Sequence, residues 1–187
     1  MKVLDIEKTI GIETFFTPFT GIGGKLRTYA EDFVVNEISN YPKEKKDGKF
    51  AIADVTATNW ETNLLIRELS DRLRISRQRI GFAGTKDKRA KTTQLMSFYN
   101  IGLEQLSEIN IKDIGIKNIY CSDKPVKIGN LIGNSFEIMV RNIRDFNEED
   151  LKESIYLINQ TGGFPNFFGI QRFGAIRPIT HVVGKYI

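Results

Sequence analysis

The residues best suited to chemistry sit in one turn. From Arg79 to Gln94 the chain reads RIGFAGTKDKRAKTTQ, and its only carboxylate, Asp87, stands between Lys86 and the pair Lys88 and Arg89. Neighbouring cations attract a charged carboxylate, which makes it available as a nucleophile. The same residue types also build a plain solvated turn between two strands, and composition leaves both readings open. Other chemistries lack their parts. Cys121 and His181 are the sole cysteine and histidine, so a zinc site or a Cys/His hydrolase would have few ligands or partners. The run Gly21–Gly24 has neither the dinucleotide nor the triphosphate-loop spacing, and GTKD fails the latter as well.

Charge is gathered around the same turn. The 187 residues carry a formal net charge of +4. Nine basic side chains lie between Arg67 and Lys91 against three acidic ones, Glu68, Asp71 and Asp87, and the remainder of the chain is net negative. Such a concentration is expected of a surface that binds a polyanion, although a charge run also serves as a solvated helix face. A single cysteine fits a reducing cytosol. No apolar run approaches the roughly 20 residues of a membrane span, and the opening MKVLDIEKTIGIE lacks the apolar core of a signal peptide.

The elements that must hold this turn follow from periodicity. Lys25–Tyr29, Asp32–Ile38 and Phe50–Thr58 read as strands, with a charged loop from Tyr41 to Gly48. Leu65, Ile66, Leu69 and Leu73 form the apolar stripe of a helix, which Thr58 and Glu61 precede at capping-box spacing. A short helix from Ser76 feeds a strand Ile80–Ala83, and Thr92–Tyr99 leaves the turn as another strand. A short helix Leu103–Ile109 and a strand Ile116–Cys121 come next. Gly129–Asn134 reads as a loop before the alternating Phe136, Ile138 and Val140, and Asn147 caps a helix reaching Gly162. Phe15, Phe16 and Phe19 suit a packing arm. Several strands with interspersed helices but no strict βαβ alternation give an α+β fold with a mixed or antiparallel sheet.

Three strings carry a resemblance. Glu31–Ile38 (EDFVVNEI), Ala83–Gln94 (AGTKDKRAKTTQ) and Pro165–Gly174 (PNFFGIQRFG), with Gly129–Ile143 between the last two, are similar in order and rough spacing to the TruD family of RNA pseudouridine synthases. The resemblance implies a pseudouridine-synthase-like catalytic domain that detaches uracil at N1 and rejoins it through C5, without cofactor or metal. It places the catalytic aspartate on Asp87, attacking either ribose C1′ or uracil C6. It places the stacking aromatic on Phe168 and the active-site asparagine on Asn166, with Gln171 and Arg172 contributing at the base edge or a phosphate. The family's basic residue falls on Arg27, where a lysine is expected. Core packing remains the reading for Phe167 and Phe173, and a turn role for Asn166 stays open.

On this resemblance the partner is tRNA or another structured RNA, commonly at uridine 13, held through phosphates by cations such as Lys86 and Arg89. No membrane or metal partner is implied, and the location is cytoplasmic. The expected layout is an arm over residues 1–24, the N-terminal part of a catalytic domain over 25–174, and the start of an inserted domain over 175–187. The chain therefore reads as truncated, and an isolated chain is expected to turn over poorly. A non-catalytic RNA-binding module and an α+β protein-interaction domain are the competing readings.

Overall fold

A computed structural model describes residues 3–19, 21–144, 146–174 and 180–186. Within them lie six strands, β1 (Phe33–Ser39), β2 (Phe50–Thr58), β3 (Ile80–Phe82), β4 (Lys91–Tyr99), β5 (Ile114–Ser122) and β6 (Leu131–Ile138). The helices are α1 (Asp5–Lys8), α2 (Thr62–Leu73), α3 (Leu103–Ser107), α4 (Glu148–Gln160) and α5 (Thr180–Val183). The chain divides into two compact units, one of residues 25–141 and one of residues 1–24 with 142–187. Residues 175–179 and 187 of the stretch read as the start of an insertion lie outside the described residues. No described helix is long and apolar enough to cross a membrane.

The unit 25–141 is built on one mixed sheet in the order β5-β2-β4-β1-β6. β1 runs parallel to β4, while the other pairings are antiparallel. The full length of β4 pairs with β2, so its other edge is shared: β1 meets it at Lys91–Thr93 and β3 at Met96–Phe98. A fork is left between β1 and β3, and the turn bearing Asp87 leaves β3 at that point.

Helix α2 forms because its apolar stripe has a sheet to cover. Leu65, Ile66, Leu69 and Leu73 are buried against Ala51, Ala53, Val55, Met96 and Phe98. Its N-cap is Glu61 alone, whose carboxylate accepts from the Leu64 N–H at 3.1 Å, and Thr58 ends β2 instead. Ladder pairing with Lys91 gives Thr58 a stronger local alternative than a cap. The helix stops at Arg74, which turns left-handed at φ 53°, and the Ile75 N–H returns to the Ser70 carbonyl. Ser76 then caps a 3-10 turn, Arg77–Arg79, that delivers the chain into β3.

Glycine at 81 is required by close approach. A Cβ there would collide with the Val126 carbonyl and the Ser97 hydroxyl, which itself accepts from the Val126 N–H at 3.0 Å. Gly81→Ala is expected to lower stability by about 1–3 kcal/mol through overpacking, read as a lower urea midpoint with an unchanged slope. On β5, the loop from Tyr41 to Gly48 is tied down by Tyr120 and Ser122, which donate to the carbonyls of Pro42 and Lys43. The Tyr41 hydroxyl donates to Asp54 at 2.9 Å, and burial followed by that carboxylate pushes the phenol up to about 12.

Two local expectations change. Lys25–Tyr29 is not a strand: only Lys25 bridges, to Arg141, and Arg27 adopts φ 55°, which an extended ladder does not accept. Residues 131–134 belong to β6 rather than to a loop, because pairing with β1 overrides what Gly133 suggests locally.

In the other unit, Asn147 caps α4 by accepting from the Glu149 N–H. Phe15, Phe16, Phe19 and Ile22 line an apolar groove with Leu151, Ile158 and Phe164. The segment 162–174 has no regular element apart from a 3-10 turn at Ile170–Phe173.

Candidate active site

Asp87 is fixed by contacts from distant parts of the chain. Its Oδ2 accepts from Arg27 Nη2 at 3.0 Å, across 60 residues, and both side chains are partly exposed. The guanidinium of Arg27 also lies 3.8 Å from the centroid of Phe33, so it is held over an aromatic face while it meets the carboxylate. The left-handed backbone at Arg27 is a strained conformation for a non-glycine residue, retained where surrounding structure fixes it.

That surrounding structure is a staple at the ends of the unit. Arg141 makes a bidentate pair with Asp32, at 2.7–2.9 Å, while its backbone exchanges hydrogen bonds with Lys25 at 2.7 and 2.9 Å. The hydrogen bonds from Arg141, then the Tyr29 N–H, hold the Asp32 carboxyl below the usual carboxylate range. A depressed folded value means this contribution is present at neutral pH and is lost as pH falls through that value. Asp32→Asn is therefore expected to flatten the acid side of the stability profile, checked by urea midpoints at stepped pH.

The cations next to Asp87 in sequence do something else. Lys86 Nζ bonds Glu37 Oε2 at 2.6 Å, with side chains only 5% and 0% exposed. Glu37 Oε1 accepts from the Ser39 hydroxyl at 2.7 Å and from the Leu95 N–H at 3.3 Å, inside the fork between β1 and β3. The Lys86 backbone N–H donates to the Thr62 hydroxyl at 2.8 Å, tying the turn to the first turn of α2. Lys86 thus anchors the turn with its ammonium turned inward, whereas the sequence suggested a phosphate ligand. Arg89 donates to the Thr28 carbonyl at 3.4 Å. Glu37, Thr62 and Phe33 were missed as parts of the site. Glu37 sits within the EDFVVNEI string, but alternation in a strand reads it as an outward polar residue.

An open cleft of about 210 Å³ adjoins the carboxylate, lined by Val35, Thr85, Lys86, Asp87, Asn134 and Phe136. The remaining expected residues lie in the other unit. There Phe168 is 67% exposed, with the Arg172 guanidinium 5.2 Å from its ring centroid, and Asn166 and Gln171 are exposed on the same segment. Phe167 is 83% exposed, which overturns the expectation of core packing: without a regular element, alternate residues of 165–169 have no covering surface. Phe173 is half-buried, edge-to-face with His181 at 5.5 Å.

The fold has a solved counterpart. Over 99% of this chain it matches the crystal structure of the Methanosarcina mazei candidate tRNA pseudouridine synthase D with a TM-score of 0.92 and 48% identity, covering 43% of that chain. The class is thus an α+β domain shared with a proposed RNA-modifying enzyme. The model of the family tRNA pseudouridine synthase D (TruD) matches residues 9–187, and the chain belongs to that family. Relatives named as probable tRNA pseudouridine synthase D include those of Methanococcoides burtonii, 51% identical, and of Methanosarcina mazei, 48% identical. Each is matched over the whole of this chain, which spans 43% of their length.

Proposed function

We propose that this chain supplies the aspartate-bearing part of a tRNA pseudouridine synthase, acting on one extruded uridine. The observation that carries the reading is the Arg27–Asp87 pair at the rim of an open cleft, in a chain of this family. The base must leave its stack, since neither C1′ nor C6 is reachable inside a duplex. The Asp87 carboxylate adds to C1′ or to C6, the N1–C1′ bond breaks, and the uracil turns. A C5–C1′ bond then forms, the bond to the Asp87 carboxylate breaks and frees it, C5 loses its proton and N1 gains one, so the atoms balance without a cofactor. Arg27 holds the carboxylate in place before attack, which lowers the reorganisation needed in the transition state.

Phe168 offers a face for the displaced base, and Asn166 and Gln171 offer amides for its edge. Arg172 and Arg89 serve the phosphates, as do the cations of α2 and the turn after it, giving salt-dependent affinity and register. Lys86 acts on this reading through Asp87, by fixing the turn. Uridine 13 of tRNA, in the cytoplasm, is the proposed target. The test is tritium release from tRNA labelled at uridine C5, with pseudouridine confirmed by nucleoside analysis. Slow, Asp87-dependent release is the expected result. Tight RNA binding with no release would favour the second reading, an RNA-binding module, which the same cationic segment supports.

A further inference from the structure

The cleft beside Asp87 has a wall whose residues, although they lie in the Gly129–Ile143 string, are given no role by the sequence analysis or the mechanism above. On β6, Asn134 is registered with Glu37 and Phe136 with Val35, so both side chains share the sheet face on which the Glu37–Lys86 pair sits. Phe136 is 56% exposed, yet it is not an isolated surface ring. It meets Phe33 edge-to-face at 6.1 Å, and Phe33 is the ring beneath the guanidinium that holds Asp87. Carboxylate, guanidinium and two aromatic rings therefore form one connected series.

We infer that Phe136 and Asn134 are the base-binding wall of this cleft, Phe136 giving an apolar surface to a pyrimidine and Asn134 an amide to its edge. The inference rests on the reading of Asp87 as the reacting group. Three features favour a single base as occupant. The cleft, at about 210 Å³, is smaller than the roughly 300–1,000 Å³ of sites for drug-sized ligands. Its lining combines an exposed ring, a buried valine beneath and one neutral amide, which is the chemistry that receives an unstacked base. Its rim holds the carboxylate whose target atoms, C1′ and C6, belong to that same nucleoside.

The experiment compares binding of a uridylate pentamer with that of an abasic ribose-phosphate pentamer, which has the same charge and no bases. Wild-type protein should prefer the uridylate, and Phe136→Ala should lower that preference by about tenfold while leaving the abasic affinity unchanged. Phe136→Tyr should restore the preference, and Asn134→Ala should lower it by a smaller factor. A merely structural role would shift both pentamers together, and that result overturns the inference, as does a wild-type protein without preference. An unchanged preference in Phe136→Ala overturns it too. Melting temperatures of Phe136→Ala and Phe136→Leu separate loss of fold from loss of contact. Tritium release by Asp87→Asn decides the catalytic reading independently: if it is undiminished, that reading falls while the pentamer result still stands.

Discussion

Asp87→Asn is expected to reduce product formation by roughly 10³-fold or more, because an amide cannot form the covalent intermediate that the carboxylate forms. RNA affinity should stay within about threefold, since phosphate contacts elsewhere supply most of it. The fold should barely notice. The Arg27–Asp87 pair is partly exposed, and such pairs contribute about 0–1 kcal/mol. The decisive comparison is single-turnover tritium release against anisotropy binding and thermal melting on the same samples. A large loss of stability would instead make Asp87 a structural residue, and undiminished release would remove it from the reaction.

The second large effect falls on the neighbouring pair. Removing one partner of the buried Glu37–Lys86 ion pair, by Glu37→Gln or Lys86→Met, should cost about 3–5 kcal/mol, because the remaining charge is left without its counterion. The double variant should recover much of that loss, as the desolvation cost of both charges is removed together. A double-mutant cycle in urea reads the coupling directly, and additive losses would show that the pair is not a unit. On the proposed function the double variant should nonetheless turn over slowly with RNA affinity unchanged. Stability returns because neither charge is left buried alone, but the anchor that fixes the turn next to Asp87 does not return.

Local patterning made much of the fold legible. The α2 stripe, the Asn147 cap, and β2 with β4 all rest on spacing within one element, where neighbours in sequence are neighbours in space. The failures share a different cause. Lys25–Tyr29 looked extended, but the Asp32–Arg141 staple and the Arg27–Asp87 pair hold Arg27 left-handed. Residues 131–134 looked like a loop because the stretch Gly129–Asn134 holds two glycines suited to a tight bend, and pairing with β1 made 131–134 a strand. Phe167 looked like core because apolar residues usually are, and no element of its unit covers it.

By itself the sequence determined the α+β class, the family and the carboxylate on which the proposed chemistry turns, since each is written in a contiguous string or a short repeat. Only the tertiary structure decided which cation meets Asp87. Charge along the chain pointed to Lys86, Lys88 and Arg89, yet Lys86 is buried on Glu37 and the bond comes from Arg27, 60 residues away. Electrostatic partners are set by distance through space, and the fork between β1 and β3 brings those distant groups together while it turns the nearest cation away.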